Sequence, residues 1–204
     1  YDARTIYFAF TRKDAPRPDF YAPKKGDRFF QIYAMDIDGR NLRQLTNDEF
    51  DNFDPCPLPD GGLAFMSSRR SGFIRCSNDW EPIPAYTLHR MDPDGRNIRT
   101  LSWHETNEWH PNVLNDGKIV YIRWDYVDRS AANHHGLWLC NPDGSNPVSL
   151  FGNYTYRINA CYQPRAIPGS NKILFLAGAH HADVGGSMVM LDPGKVKLDP
   201  ATGE

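Results

Sequence analysis

The sequence predicts an all-β protein, a β-propeller made of four-stranded antiparallel blades. Three observations lead to this prediction. A segment recurs at a spacing of roughly 50 residues, as in repeat architectures. Each copy contains short apolar runs separated by Gly- and Asp-rich turns. No long window places apolar residues at helical spacing, and the chain of 204 residues contains 16 prolines, which disfavour helices.

The repeat consists of two units that alternate along the chain. The first unit occurs as QIYAMDIDGRNLRQLTND (31–48), TLHRMDPDGRNIRTLSWH (87–104) and GLWLCNPDGSNPVSLFGN (136–153). The second occurs as FDPCPLPDGGLAFMSSR (53–69), WHPNVLNDGKIVYIRWD (109–125) and YQPRAIPGSNKILFLAGA (162–179). Together the two units supply four short strands per copy, which we label a to d in chain order.

The pattern of apolar residues places three of these strands closely. Strand b is predicted at 63–67, 119–123 and 173–177, strand c at 32–36, 88–92, 137–141 and 188–192, and strand d at 42–45, 98–101 and 147–150. Strand a carries the x-x-P element of each second unit. The a–b and c–d connections are tight Asp-Gly turns, or a Gly-Ser-Asn turn at 169–171, in which Gly supplies a positive φ.

We expect one propeller domain or segment over 1–204, with repeats at about 1–48, 53–104, 109–153 and 162–195. Four blades are at the low end for a closed propeller, and the chain starts inside the pattern. The expectation is therefore an excised part of a larger propeller.

The unit IYAMDIDGRNLRQLT…DNFDPCPLPDGGLAFMSSR resembles the WD40-like repeats of the TolB-type six-bladed propellers. Pro55, the Asp60-Gly61 turn, Phe65 and Ser67-Ser68-Arg69 hold positions of the family motif, whereas Cys56 stands where the family has Trp. The resemblance covers nearly the whole chain. It implies the fold and leaves the activity open, because propellers carry many activities.

A narrower resemblance concerns the loops. The segments SSRRSGFIRC, HETNEWHPNVLNDGKIVYIRWDYVDR, ANHHGLWL and CYQPRAIPGSNKILFLAGAHHADVGGS are similar to the propeller region of hydrazine synthase alpha-subunit-like proteins. This resemblance implies an exported, periplasmic multidomain protein. It also implies that any haem comes from domains outside this segment, because the chain contains no C-x-x-C-H motif.

Composition excludes several classes of function. A net charge of -2 gives no electrostatic case for binding nucleic acid. The longest apolar runs are far too short to span a bilayer. There is no G-x-S-x-G elbow and no phosphate-binding glycine loop. The four cysteines lack C-x-x-C spacing, and their even number permits disulfides, with Cys76 and Cys161 as a candidate pair.

The propeller topology predicts where function lies. Strands alternate in direction, so the long b–c loops and the d–a connections meet at one end of the blades. The short turns meet at the other end. Long irregular loops on a rigid scaffold usually carry function. We therefore expect a binding surface on the b–c/d–a end.

Six histidines fall on that end and are candidate ligands of a divalent metal: His104, His110, His134, His135, His180 and His181. The alternative is that adjacent histidines point in opposite directions and bond backbone carbonyls. His89 differs from these six, because its register with Tyr33 and Trp138 predicts a packing role.

Charged and aromatic residues at the same end allow two further hypotheses. The candidate ligand- or partner-binding residues are Arg69, Arg70, Arg123, Asp125, Arg165 and Asp183. The alternative for the arginines is internal pairing with Asp54, Asp125, Asp128 and Asp183. Loop aromatics either seal the loops against the blades or form a sugar- or peptide-binding platform: Trp80, Tyr86, Trp124, Tyr126, Tyr154 and Tyr156.

The leading functional prediction is an exported propeller that acts as a binding or docking module. Its partners would be other domains of the same chain or a separate protein, with a small ligand at the channel mouth as a further expectation. The alternative is part of a metal- or haem-dependent redox enzyme whose His-rich loops line the site. Apart from the divalent metal considered for the histidines, the sequence assigns no cofactor to this segment.

Overall fold

A computed structural model describes residues 3–24, 26–76, 82–128, 130–152, 155, 158–180 and 185–195. The described residues form fourteen strands and no helix, which confirms the all-β prediction. None of the described segments contains a helix long and apolar enough to cross a membrane. The chain divides into two compact units, Tyr1–Glu105 (unit 1) and Thr106–Glu204 (unit 2).

Unit 1 contains two blades. The strands of blade 1 are β1 (Thr5–Phe10), β2 (Gln31–Asp36) and β3 (Arg43–Gln44). Those of blade 2 are β4 (Asn52–Pro57), β5 (Leu63–Ser67), β6 (Thr87–Met91) and β7 (Arg99–Thr100). Each neighbouring pair is antiparallel, so both blades are meanders.

Unit 2 also contains two blades. The strands of blade 3 are β8 (Glu108–Val113), β9 (Ile119–Trp124), β10 (His135–Cys140) and β11 (Val148–Phe151). Those of blade 4 are β12 (Ala160–Ala166), β13 (Ile173–Gly178) and β14 (Ser187–Leu191). A parallel bridge between His135 and Ala160 joins the two blades into one sheet.

The predicted strands b and c agree with the structure to within two residues at either end. Strand d is shorter than predicted in blades 1 and 2, where only two residues of each pair with strand c. These residues are mostly exposed, so little apolar burial supports a longer strand.

Apolar side chains of the central strands form the core of each unit. In unit 1 the cluster consists of Ile32, Leu63, Phe65 and Met91. In unit 2 it consists of Val120, Ile122, Leu137, Cys161, Ile173, Phe175 and Leu191. β5 is buried at every position, as expected for a strand covered on both faces.

Strand a contains a β-bulge at the same place in blades 2, 3 and 4. The pairing with strand b shifts between Phe53 and Cys56, between Trp109 and Asn112, and between Tyr162 and Arg165. A residue with positive φ lies inside each shift: Asp54 (φ 50°), His110 (φ 54°) and Gln163 (φ 50°). The x-x-P proline follows it directly. Proline has no N–H to donate to a ladder, so within sheets it is tolerated at bulges.

Candidate functional site

The two ends of each blade carry connections of different length. We call the end with the b–c and d–a connections the loop end, and the other the turn end. The b–c connections are residues 11–30, 68–86, 125–134 and 179–186. The a–b connections, such as 58–62, are tight turns. Irregular backbone is therefore concentrated at the loop end of each unit.

Two of the predicted histidines meet at the loop end of unit 2. The Nε2 atom of His135 lies 2.9 Å from the Nδ1 atom of His180. His135 is buried at the start of β10, and its ring stacks on Trp124 with centroids 5.0 Å apart and planes 12° apart. Trp109 stacks on the same imidazole at 5.7 Å. Tyr126 packs edge-on against Trp124. We call these five residues the imidazole–tryptophan cluster.

Within this cluster, His135 and His180 form a hydrogen-bonded pair of imidazoles. One ring must donate an N–H and the other must accept it, so the pair cannot hold a proton on both facing nitrogens. Two imidazoles are fewer than the three or four protein ligands of usual zinc sites. Within the described ranges, no group of three or more His, Cys, Asp or Glu side chains is arranged to hold a metal. His181 and Asp183 lie outside the described residues.

The other candidate histidines are placed separately. His134 is buried, and its carbonyl accepts the N–H of Asp125 in the ladder between β9 and β10. His110 is the bulge residue of β8, and its Nδ1 accepts a long hydrogen bond of 3.4 Å from the N–H of Gln163. His104 belongs to unit 1 and is half-buried. Its backbone N–H donates to Ser102 Oγ. The structure therefore brings together His135 and His180 among the described candidates.

The candidate arginines of the central blades are engaged inside the fold. Arg69 lies 2.6 Å from Asp48 and over the ring of Phe50. Arg123 lies 2.9 Å from Asp125, and its guanidinium sits 4.0 Å above the ring of Trp138. These contacts orient both arginines along the blade surface. Both are largely shielded from solvent, so each pair is more than an exposed surface contact.

The remaining charged candidates are less constrained. Arg70 is half-buried in the b–c connection of blade 2. Arg165 is exposed after the bulge of β12, and its Nη1 donates to the carbonyl of Pro164. Of these two, the exposed Arg165 is the more accessible to a ligand. Trp80, Tyr154 and Tyr156 lie outside the described residues.

Exposed aromatic side chains are concentrated at the loop end of unit 1. The described aromatic residues with exposed side chains are Phe10, Tyr21, Phe30, Phe73 and Trp103, and all of them lie in or at the end of b–c and d–a connections. Trp103 is 76% exposed and Tyr21 67% exposed. Tyr21 and Phe73 touch each other with ring centroids 4.9 Å apart. We call these five residues the aromatic loop face.

A cavity of about 450 Å³ opens at the same end of unit 1. Its lining consists of Ala9, Phe30, Asp51, Phe53, Asp54, Pro55 and Tyr86. Asp51 is only 6% exposed, and its Oδ1 accepts the backbone N–H of Phe30 at 2.9 Å. The Tyr86 hydroxyl makes a long contact of 3.4 Å with its Oδ2. We call this space the Asp51 cavity.

Burial controls the protonation of Asp51. Loss of hydration raises the pKa of its carboxyl, because the charged form is less stable away from water. The hydrogen bonds from Phe30 and Tyr86 act in the opposite direction and offset part of this effect. A buried carboxylate beside a cavity is a common feature of binding sites.

A second cavity of about 500 Å³ lies at the turn end of unit 2. Aliphatic side chains line it, including Leu114, Leu139 and Leu150. The Asn115 side chain donates to the carbonyls of Ile167 and Ser170 beside it. These bonds connect the a–b turns of blades 3 and 4, so we interpret this region as a contact between blades.

His89 is buried, as its register predicted. Its Nδ1 lies 2.8 Å from the carbonyl of Thr87, which can only accept, so Nδ1 carries the proton. Its Nε2 then accepts from the hydroxyl of Thr100 at 3.0 Å. Burial lowers the pKa of His89 to about 4. These contacts assign His89 to the packing of blade 2.

The four cysteines, all within the described residues, form no disulfide. The candidate partner Cys161 is fully buried in the core of unit 2, and Cys76 is half-buried. Burial raises the pKa of the Cys140 thiol to about 12, and that of Cys161 to the same value, so both remain protonated.

Four residues of the Asp51 cavity were not selected from the sequence: Ala9, Phe30, Asp51 and Phe53. Asp51 occurs in an acidic, polar stretch before strand a, where nothing marks it as buried. One signal was present: Asp51 precedes an inner strand at the loop end, where side chains of neighbouring blades converge.

The fold and its loop end define the class of protein: the chain has the fold of the TolB-like β-propellers. No family model matches it. Hydrazine synthase of Kuenenia stuttgartiensis superposes with a TM-score of 0.72 over 95% of the chain and 30% of that protein, at 17% identity. A TolB-type protein of Agrobacterium tumefaciens superposes with a TM-score of 0.52 over 72% of the chain and 45% of that protein, at 23% identity.

One curated relative is similar in sequence. It is an uncharacterised protein of Agrobacterium fabrum, 27% identical over 128 residues, which are 61% of this chain and 40% of that protein. The chain thus spans less than half the length of these relatives. At these identities the structural likeness establishes the fold and leaves the activity open.

Proposed function

We propose that the chain is the propeller part of an exported binding protein, and that it docks a protein partner or another domain through the loop end of its blades. The observation that carries the proposal is the aromatic loop face. In the described part of the chain, the five most exposed aromatic side chains all lie at this end of unit 1. Aromatic residues are enriched at protein interfaces because they bury a large area and lose little conformational entropy.

The structure around these residues suits docking. The d–a connection between blades 1 and 2 is tied to the start of β2, since Gln31 Nε2 donates to the carbonyls of Asp48 and Phe50. The backbone N–H of Phe30, at the end of the b–c connection of blade 1, donates to Asp51 Oδ1 in the same d–a connection. Phe73 pairs with Pro84 across the b–c connection of blade 2. The backbone that presents Phe30 and Phe73 is therefore held in place, which lowers the entropic cost of binding.

Co-purification from extracts of cells that make the protein tests this proposal. The triple variant Tyr21→Ser, Phe73→Ser, Trp103→Ser removes the most exposed part of the aromatic loop face. The control Ile37→Ser, Leu42→Ser removes exposed apolar side chains at the turn end of the same unit. A partner that is retained by wild type and by the control, and lost by the triple variant, supports docking. Retention by all three proteins contradicts it.

The second candidate function is a metal- or haem-dependent redox role, and the contact between His135 and His180 favours it. In this hypothesis the His-rich loops of unit 2 contribute ligands to a group completed by other domains. Metal analysis and an absorption spectrum of the protein in its full-length parent test it. A stoichiometric metal or haem that is lost in His135→Phe or His180→Phe would support this role over docking. A full-length protein without either group would exclude it.

A further inference from the structure

We propose that the Asp51 cavity binds a small organic ammonium compound, with Asp51 as the counter-ion and the surrounding aromatic rings as walls. The site belongs to unit 1 and does not require that a protein partner docks at the loop end. Three features support this assignment: the buried carboxylate, the lining of the cavity and its size.

The carboxylate of Asp51 is buried without a cationic partner from the described segments. No lysine or arginine in those segments forms an ion pair with it, and its side chain contacts the N–H of Phe30 and the hydroxyl of Tyr86. A buried carboxylate with only neutral donors gains from an incoming cation, because the charge pair replaces hydration lost on folding. The pKa of Asp51 is raised by burial, which agrees with a carboxylate whose negative charge is incompletely stabilised.

Aromatic side chains form much of the remaining lining. Phe53 and Tyr86 pack edge to face with ring centroids 5.0 Å apart, and Phe30 contributes a third ring. The negative faces of aromatic rings attract cations, and ammonium groups are often held by several rings together. Rings also shield the alkyl body of such a ligand from water.

A second acidic residue, Asp54, belongs to the cavity lining. Asp54 is the bulge residue of β4, with φ of 50°, so its backbone departs from a regular strand. Asp51 and Asp54 are the acidic residues of the cavity lining. Anionic ligands are therefore disfavoured, and neutral ligands leave Asp51 without a charged partner.

The size of the cavity fits a small molecule. Its volume of about 450 Å³ lies in the range of ligand pockets, which is roughly 300 to 1,000 Å³. The walls come from β1, the end of the b–c connection of blade 1, the residue before β4, β4 itself and the residue before β6. A site built largely on strands is pre-formed, so little ordering opposes binding.

Calorimetric titration of the purified protein with 2-phenylethylammonium tests the proposal. The neutral isostere 2-phenylethanol and the anion phenylacetate are titrated in parallel. We expect the ammonium compound to bind at least about tenfold more tightly than the alcohol, because a hydrogen bond to a charged group is worth roughly this factor or more. Equal binding of the alcohol, or preferred binding of the anion, overturns the proposal.

Variants of Asp51 show whether this carboxylate holds the ligand. Asp51→Asn keeps an oxygen for the N–H of Phe30 and removes the charge, so the affinity for the ammonium compound should fall at least about tenfold. Asp38→Asn removes an exposed carboxylate at the turn end of the same unit and should change nothing. Circular dichroism spectra of both variants verify that they fold. Undiminished binding by folded Asp51→Asn overturns the assignment.

Two further titrations distinguish this site from a peptide-binding site and from the aromatic loop face. A blocked Gly-Gly-Lys-Gly-Gly peptide presents the same ammonium group on a polypeptide, and binding of the peptide alone overturns a small-molecule site. The triple variant of the aromatic loop face leaves every lining residue of the cavity in place, so it should bind 2-phenylethylammonium as wild type does. A failure of docking is thereby distinguishable from a failure of the cavity proposal.

Discussion

The Nε2 atom of His135 lies 2.9 Å from the Nδ1 atom of His180, and this contact joins strand c of blade 3 to the b–c connection of blade 4. The two residues are far apart in the sequence. Their imidazoles meet because His135 also pairs with Ala160, which starts the first strand of blade 4. The pair is thus a link between two blades as well as a candidate site.

A double-mutant cycle measures the strength of this link. The variants are His135→Phe, His180→Phe and the double variant, and the readout is the free energy of unfolding in urea. We expect a coupling energy of about 0.5 to 1.5 kcal/mol, the usual net value of a hydrogen bond. The coupling should vanish at a pH where both rings are protonated, since two imidazolium ions cannot share this bond. Additive effects at neutral pH would show that the contact contributes nothing.

His89 should make the protein less stable in mild acid. Its pKa is about 4 in the folded protein and 6.5 when exposed, so between these values the unfolded chain binds the proton more readily. Stability is therefore present above pH 6.5 and is lost as the pH falls towards 4. The loss should reach about 2 to 3 kcal/mol by pH 4.5.

The control for this effect is His89→Gln, which cannot titrate in this range. Unfolding free energies of both proteins at pH 7 and pH 4.5 isolate the contribution of His89 from those of other groups. The variant should be less stable at pH 7, because the bonds to Thr87 and Thr100 are altered, and should lose less stability in acid. An equal loss in both proteins would contradict the assigned burial.

Gly95 and Gly39 occupy the same turn position in blades 2 and 1 but should respond differently to substitution. Both have a positive φ, of 87° and 82°. A Cβ on Gly95 would clash with the carbonyl oxygen of Leu45, whereas nothing lies within 4 Å of one on Gly39. Both alanine variants should cost about 1 kcal/mol for the backbone conformation.

The Gly95→Ala variant should cost at least about 1 kcal/mol more than Gly39→Ala, because the main chain of blade 1 must move. Thermal unfolding of both variants against wild type measures the difference. Equal costs would mean that blades 1 and 2 do not pack as closely at this turn as described.

The positive φ at the bulge of β8 predicts which residues can replace His110. Asn readily adopts positive φ, so His110→Asn should change the unfolding free energy by less than about 1 kcal/mol. His110→Val should cost about 2 kcal/mol, because a β-branched residue is strained in this conformation. Asp54→Asn and Asp54→Val provide the same comparison in blade 2. Similar costs for Asn and Val at both positions would contradict the bulge geometry.

The strands were predictable from the sequence because they depend on local patterns. The apolar run at 63–67 becomes β5 without change of bounds, since burial on both faces and the flanking Gly turn define it. The bulges could not be predicted, although the x-x-P element marked their position. A proline indicates that one backbone hydrogen bond between the strands is missing. An edge strand, a strand start and a bulge all allow this, so the sequence does not distinguish among them.

The candidate sites were less predictable because they depend on which loops meet. The sequence placed His135 and His180 in matching loops, and the structure brings their rings into contact. From the sequence, His110 was a candidate metal ligand. The structure gives a conformational explanation for a histidine here, because His is one of the residues that adopt positive φ more often than most. Asp51 was missed because its side chain contacts Phe30 and Tyr86, which are both distant from it in the sequence.

The bulge of strand a also makes the blades interchangeable in one respect. An acid, an imidazole and an amide occupy the same backbone conformation at Asp54, His110 and Gln163. The backbone conformation at this point therefore accepts side chains of different chemistry. Exchanging these side chains among the blades would move charged and proton-binding groups along the inner strands at little cost in stability. The bulge is therefore a position at which the binding chemistry of each blade can change independently.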